Sequence, residues 1–527
     1  MSASLNIPVA RGNPPKDLEI RPKQVRGWIE SLPLAQAVEA ARQMREHLVA
    51  LNRVKIETDD RLQILQDYRP VARTVFDELE AIYTKSALPL SARAREALNG
   101  ARELASGLAD GYKIAVGDKT GKLISFGAKK QLPFLLYRAM EYVTAALHAS
   151  YKSYTPPPEG LWRQLHELYL YADAEGLAAE PADPESKATV NELYAESLLV
   201  ALTDPYRLSL GEIDRIVAQI RAARVPPSLS QSRPATPPAG HFLVPCDTDK
   251  PPKPSLSASD DRGGRNWRLL DANTLVDKLR TRKLAFESGN VSAATSKAMG
   301  PDGVALLSRL VTLWGDPPKR ASRRDPMESS VAICIGLKAV GHYVALERPD
   351  TPAEADLIRR GITIPLIAVP HDDASKAFPV NEWNVVNQSA GGLKVRRESP
   401  ALQPVSVGEV VGVKLMGRPR WTIGVARWIT VLEEGGLEFG IQFLAAAARS
   451  VSIQPTIAAL SAQAKQALLL NEGDPAAEAL LTTPNTFSDL REFEVQNEGE
   501  VSMVRATSLV EKTGRFELFE FSASQAR

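Results

Sequence analysis

The hydrophobic positions in the first part of the chain repeat at helical spacing. An apolar stripe of this kind runs along residues 34–51, with the charged side chains off it. Thr58 and Asp59 are typical of a helix cap, and Pro70 predicts the end of the helix that they begin. Further helices are expected over 71–86, 91–109, 130–152, 160–175, 189–203 and 209–223. Short polar connections between such helices indicate antiparallel neighbours, so we predict an all-α bundle or stack.

In the last two hundred residues the pattern changes to a period of two. Residues 329–345 are β-forming, and apolar residues alternate along 411–415, 421–425 and 437–443. Short strands joined by turn signals predict a small antiparallel barrel. Residues 446–527 are predicted to form a further β-rich unit with one amphipathic helix over 457–469. The pattern leaves open whether this unit completes the barrel or forms a second one.

The break between the two patterns gives the domain boundaries. Residues 226–265 mix proline with serine and glycine, which is a linker composition. Residues 351–354, Thr-Pro-Ala-Glu, form a capping box that predicts a helix inserted in the barrel. The predicted fold is α+β and multidomain, with a disordered N-terminus (1–24), an all-α domain (25–225), a Pro/Ser-rich linker (226–265), a small α-rich linker subdomain (266–318), an antiparallel β-barrel (319–445) with a helical insertion (348–382), and a C-terminal β-rich unit (446–527).

Composition and charge narrow the classes of function. The net charge of +1 over 527 residues gives no global field for a nucleic acid polymer, so an anion site must be local. No stretch approaches the roughly 20 apolar residues of a membrane span, and residues 1–16 lack the apolar core of a signal peptide. The two cysteines allow one disulfide formally, but so low a count favours a reducing compartment. We therefore expect a cytoplasmic protein.

Two polar clusters are the candidate binding residues. The basic run 319–324 supplies guanidinium groups, whose planar fork suits phosphate and guanine edges. The hexapeptide 387–392, Asn-Gln-Ser-Ala-Gly-Gly, supplies side-chain donors and acceptors and a backbone free to take positive φ. Apolar residues on both sides of the hexapeptide predict a strand–turn–strand. Together the clusters predict a site for a flat, doubly anionic ligand.

The two clusters resemble the signature of the PilZ domain, which binds cyclic di-GMP. Residues 320–324 fit its RxxxR motif, and residues 387–392 fit (D/N)xSxxG. The resemblance covers roughly 319–445, about a quarter of the chain. Residues 325–386 separate the motifs by more than is usual in the family, and the predicted insertion accounts for the excess.

The resemblance also implies a role for each site residue. Arg320 and Arg324 would grip phosphate and stack on guanine, while Asn387 and Ser389 hydrogen-bond the base. Gly392 would allow close backbone approach. Arg323, between the two arginines, either assists them or faces solvent.

Signals for enzymatic chemistry are weak. The six histidines show no metal-ligand spacing such as HExxH, so we expect no metal and no cofactor other than the ligand. Residues 117–122 depart from the phosphate-loop spacing and are predicted to form a turn. Three functions remain: a non-enzymatic cyclic di-GMP receptor that signals to a protein partner through its helical half, a structural interaction scaffold with a degenerate, non-binding barrel, and an unrecognised hydrolase. We expect the first.

Overall fold

The computed structural model divides the chain into two compact units, residues 1–86 with 90–319 and residues 87–89 with 320–527. It describes residues 5–9, 12–13, 15, 18–121, 126–225, 228–232, 234, 236–253, 266–292, 296, 299, 302–317, 325–347, 377–398, 403–415, 418–432, 435–456, 463–470, 478–497 and 499–524, without the side chains of residues 121, 126–129 and 328.

The first unit is built on helices that pack around α4. The helices are α1 (Pro22–Glu30), α2 (Ala37–Asn52), α3 (Thr58–Thr84), α4 (Ala92–Gly121), α5 (Phe126–Lys152), α6 (Leu161–Ala174), α7 (Val190–Ala201) and α8 (Glu212–Ala223), with a 3-10 turn at Pro205–Arg207. Helix α4 contacts α2, α3 and α5, and its Leu104, Leu108 and Tyr112 are buried. The predicted all-α region is confirmed.

Pro70 does not end a helix, contrary to the prediction. It lies inside α3, on an exposed position. Leu65 and Tyr68 before it and Ala72 and Val75 after it are all buried, so the apolar stripe keeps its phase across the proline. Burial on both sides therefore outweighs the cost of the missing backbone N–H.

The turn predicted over 117–122 is also absent, since α4 continues to Gly121. Gly117 serves packing instead, because a Cβ there would lie 2.9 Å from the Ile7 side chain. The glycine thus leaves room for the N-terminal segment against α4.

A small sheet and two helices complete the first unit. Strands β1 (Ser228–Ser230), β2 (His241–Pro245) and β3 (Trp267–Asp271) form an antiparallel sheet in the order β1-β3-β2. Helices α9 (Asn273–Glu287) and α10 (Gly303–Gly315) follow. Two of these strands lie within the segment 226–265, and the boundaries drawn for that segment stay a prediction.

The second unit contains two closed six-stranded antiparallel barrels. The first has the order β4-β5-β6-β9-β8-β7, and the second β10-β11-β12-β15-β14-β13. The strands are β4 (Asp325–Ile335), β5 (Asn381–Ser389), β6 (Gly392–Arg397), β7 (Val410–Lys414), β8 (Thr422–Val431), β9 (Leu437–Ala445), β10 (Ala448–Pro455), β11 (Lys465–Leu470), β12 (Ala479–Thr482), β13 (Glu492–Asn497), β14 (Glu500–Lys512) and β15 (Glu517–Ala523). Residues 446–527 thus contribute a second barrel, and the α+β multidomain fold class is confirmed.

Helix α11 (Leu337–Ala345) lies between the two barrels, where the sequence predicted strand. Gly336 has a φ of +97°, which ends β4 and starts the helix. Val340 and Tyr343 of α11 pack in one buried cluster with Ile423 of the first barrel and Phe516 of the second. The barrels therefore share a core.

Two further expectations concern inserted helices. The helix predicted over 457–469 is wrong from Lys465 onward, because this stretch forms β11 between β10 and β12. Its Ala, Gln and Leu residues favour helix, but pairing and burial in the barrel prevail. Residues 348–376 of the predicted insertion lie outside the described residues, and Asn381 and Glu382 belong to β5. Every helix in the described ranges is too short or too polar to span a lipid bilayer.

Candidate functional site

The hairpin of β5 and β6 carries the NxSxxG residues. Ser389 ends β5 and pairs with Gly392 at the start of β6, so Ala390 and Gly391 form the two-residue loop. The Ser389 hydroxyl donates to the Gly392 carbonyl at 3.4 Å, which is at the long limit for a hydrogen bond. The predicted strand–turn–strand is confirmed.

A bulge in β5 turns Asn387 and Ser389 to the outside of the barrel. Val385 pairs with Val395, and both are buried, but the next pair joins Asn387 to Lys394. Val386 is therefore an extra residue on β5. Since directly paired residues share a face of the sheet, Asn387 lies on the outer face with Lys394. Without the bulge the alternation would have placed Asn387 inside.

Gly392 is required by the packing of its own sheet. A Cβ there would overlap the carbonyl oxygen of Ile441 on β9. Neither Gly391 nor Gly392 has a positive φ, so neither uses the left-handed backbone that glycine allows. The glycine at 392 allows two strands to approach closely at the edge of the polar hairpin.

The outer face continues across β6, β9 and β8 with residues that the sequence did not single out. Lys394, Gly440 and Trp428 lie side by side on these strands. The Lys394 Nζ lies 5.7 Å from the centre of the Trp428 ring, and a Cβ at Gly440 would overlap the indole Nε1. We call Asn387, Ser389, Gly392, Lys394 and Trp428 the motif face. A tryptophan opposite a glycine in outward-facing strand positions was the available signal for this part of it.

Arg427 lies beside the motif face because β8 also has a bulge. Ala426 pairs with Ile441 and Trp428 with Gly440, which leaves Arg427 as the extra residue. Its Nε donates to the Gln442 side chain at 2.7 Å, and Gln442 is the residue opposite Gly392. Arginine and tryptophan, although consecutive, thus both contact groups on the outer face.

The cationic side chains of β6 are held by neighbouring side chains. Glu438 forms ion pairs with Lys394 at 2.7 Å and Arg396 at 2.8 Å. Arg397 donates to the Asn381 side chain at 2.8 Å. These contacts fix the cations next to the motif.

The arginines Arg320, Arg323 and Arg324 lie outside the described residues. The described chain resumes at Asp325, which pairs with Gln388, and Pro326 pairs with Asn387. The first residues after the RxxxR motif therefore lie directly beside the NxSxxG motif.

Neither of the two cysteines presents an exposed thiol. Cys246 and Cys334 are both free and buried. Burial raises the pKa of the Cys334 thiol to about 12 and that of Cys246 to about 11, so neither is a ready nucleophile. Among the described residues no group of three His, Cys, Asp or Glu side chains could hold a metal ion.

Comparisons with known proteins match both halves of the chain. The family model described as cyclic-di-GMP receptor FimW, N-terminal domain, matches residues 23–225, and that described as its middle PilZ domain matches 241–351 and 368–450. The cyclic-di-GMP receptor FimW of Pseudomonas aeruginosa is 26% identical over 507 residues, which cover 86% of this chain and 81% of that protein. No solved structure matches.

These matches correct the extent of the resemblance, which the two motifs placed in the C-terminal half only. The helical region is matched as well, under the same receptor's description. With the outward-facing hairpin and the two matched regions taken together, the chain belongs to the PilZ-domain family of cyclic di-GMP receptors.

Proposed function

We propose that the chain is a cyclic di-GMP receptor and that the ligand binds on the motif face of the first barrel. The observation that carries this proposal is the pairing of Asp325 and Pro326 with Gln388 and Asn387. Consecutive Cα atoms are about 3.8 Å apart, so chain connectivity alone limits the Cα of Arg324 to about that distance from Asp325 and the Cα of Arg320 to at most about 20 Å from it. The arginines are thus covalently tethered beside the polar hairpin.

The chemistry of the motif face matches the ligand. Cyclic di-GMP presents two phosphates and two guanines, so a binder needs cations together with donors and acceptors for the base. Arg320 and Arg324 would contact phosphate and stack on guanine, while Asn387 and Ser389 bond the base edge. The half-buried Trp428 offers an additional surface for a base. Charge-assisted hydrogen bonds contribute roughly 1.5–3 kcal/mol each, so a few of them support micromolar affinity.

Calorimetric titration of the full chain with cyclic di-GMP tests this assignment. We expect Arg320→Ala and Arg324→Ala each to weaken binding at least tenfold, and Arg323→Ala to show whether the middle arginine assists. Arg505→Ala is the matched control, since Arg505 lies on the second barrel in an ion pair with Glu492. Unchanged affinity in the first two variants would reject the site.

We also propose that binding occurs without turnover. Chromatography of cyclic di-GMP after incubation with the protein should return the ligand intact. Appearance of a linear dinucleotide or of GMP would instead indicate a hydrolase. If the protein neither binds nor cleaves the ligand, the remaining hypothesis is a structural interaction scaffold whose barrel does not bind cyclic di-GMP.

We infer that the helical half relays the signal to a protein partner. A groove of about 690 Å³ on the first unit is lined by residues of α7, α8, β3 and α9, including Leu193, Leu199 and Leu275 with Arg221 and Glu192. These three leucines are buried, while Glu192 and Arg221 are exposed, and such a mixture of apolar and charged side chains suits a partner site. The relay predicts that cyclic di-GMP changes amide hydrogen exchange within 25–225. Changes confined to 320–527 would remove the helical half from the response.

A further inference from the structure

Glu511 of the second barrel reaches Arg427 beside the motif face of the first. The Arg427 Nη2 donates to one carboxylate oxygen of Glu511 at 2.8 Å, and Nη1 contacts the other, so the pair is bidentate. Both side chains are about one quarter exposed, at 24% and 25%. Bidentate geometry at partly buried positions makes this contact stronger than an ordinary surface ion pair.

The position of Glu511 is fixed by the hairpin that follows it. Thr513 lies against Gly408 of the first barrel, and the Arg515 guanidinium donates to the Ser406 hydroxyl at 3.0 Å. Phe516 is fully buried in the core that the barrels share. The carboxylate is therefore held beside the motif face by the packing of β14 and β15.

Arg427 has donors on both sides of this junction. Its Nε bonds the Gln442 side chain, opposite Gly392, while its two terminal nitrogens face Glu511. A guanidinium that lies between a carboxylate and the proposed position of a doubly anionic ligand can bind either anion. If Arg427 exchanges Glu511 for a ligand phosphate, ligand binding is coupled to the contact with the second barrel.

We propose that Arg427 is a further phosphate-binding arginine of this site and that Glu511 competes with the ligand for it. The proposal rests on the proposed function, because it requires cyclic di-GMP on the motif face. Ligand phosphate would draw Arg427 away from Glu511 and weaken the contact between the barrels at β14. Because coupling is reciprocal, the same contact lowers the affinity for the ligand.

Affinity measurements on the full chain separate this proposal from the assignment of the site. Glu511→Gln keeps the shape but removes the competing charge, so it should tighten cyclic di-GMP binding about threefold or more. Glu492→Gln, which removes the partner of Arg505 on the second barrel, is the matched control and should leave affinity unchanged. If the wild type binds and Glu511→Gln binds no more tightly than this control, the competition is refuted while the site stands.

A double variant tests whether the effect of Glu511 passes through Arg427. Arg427→Gln should bind cyclic di-GMP more weakly than the wild type. Adding Glu511→Gln to this variant should not tighten its binding. A gain that persists without Arg427 would mean that Glu511 only repels the ligand, and it would overturn the proposal. If the wild type itself does not bind, the proposed function fails, and that outcome is distinct from both results.

Hydrogen exchange supplies a readout independent of the variants. Saturating cyclic di-GMP should accelerate exchange of the amides around Leu509–Lys512 in the wild type while it protects the β5–β6 hairpin. Protection of the hairpin with unchanged exchange in β14 would show binding without release of Glu511, and it would contradict the proposed competition.

Discussion

The two barrels have the same strand order but different surfaces. In each, the first three strands are followed around the barrel by the sixth, fifth and fourth. The second strand of the first barrel, β5, bulges at Val386 and turns its polar residues outward. Its counterpart β11 pairs with β10 and β12 without any register shift. The fold alone therefore does not produce the outward-facing polar residues of the motif face; a bulge and a close strand contact in the first barrel do.

The second barrel has its irregularities elsewhere. Its register shifts lie on β14, between Ala506 and Ser508 and between Leu509 and Glu511. The second shift is next to the carboxylate that contacts Arg427. Arg427 of the first barrel and Glu511 of the second thus each lie at a bulge, and the two side chains contact each other.

The largest expected effect comes from breaking the shared core. Phe516→Ala should destabilise the second unit by about 3–5 kcal/mol, because it leaves a cavity among residues of both barrels. Hydrogen exchange should show protection lost in both barrels together. Phe493→Ala is the control, since Phe493 is buried in the second barrel's own core, and its effect should concentrate there. An intact first barrel in Phe516→Ala would contradict a shared core.

The next effect compares two glycines. Gly392→Ala should cost about 1–3 kcal/mol, since the new Cβ collides with the Ile441 carbonyl. It should also weaken cyclic di-GMP binding. Gly499→Ala in the second barrel replaces a turn glycine with a φ of +92° and should cost about 1–2 kcal/mol without altering affinity. Equal affinities of the two variants for cyclic di-GMP would show that Gly392 does not belong to the ligand site.

Removal of the aromatic surface should affect binding more than folding. Trp428→Ala should weaken cyclic di-GMP binding about tenfold, because stacking of a base on an aromatic ring contributes roughly 1–3 kcal/mol. Trp428→Phe keeps a ring at the position and should recover most of the affinity. Calorimetry on the two variants decides the matter, and an alanine variant that binds like the wild type would exclude Trp428 from the site.

The smallest effect is expected from the exposed ion pair of the second barrel. Arg505 and Glu492 lie 2.6 Å apart, but their side chains are 49% and 32% exposed. Removing either charge should change the free energy of unfolding by less than about 1 kcal/mol, as measured by denaturant titration. A larger loss of unfolding free energy would show that this ion pair has a structural role, which would contradict the expectation.

The sequence allowed the fold class and the polar hairpin to be predicted, because both depend on local patterns. The loop between Ser389 and Gly392 follows from its composition, and the alternating strands follow from period two. The direction in which Asn387 points could not be predicted, since it depends on an extra residue in the ladder. Alternation alone would have placed Asn387 with the buried Trp383 and Val385.

Other errors arose where tertiary packing overrides a local signal. Pro70 was predicted to end α3, yet the buried stripe on both sides continues the helix. Residues 337–345 were predicted as strand, yet they form a helix that both barrels bury. Trp428 and Arg427 were missed because their approach to the hairpin depends on strands that are distant in sequence.

The central claim concerns where the dinucleotide sits, and photochemical crosslinking of cyclic di-GMP to the full chain tests it most directly. After digestion, mass spectrometry should find the crosslinked nucleotide on peptides that contain Asn387–Ser389 or Arg427–Trp428. Excess unlabelled ligand should abolish these crosslinks. Specific crosslinks on the second barrel or on the helical unit, with none on these two peptides, would contradict the account.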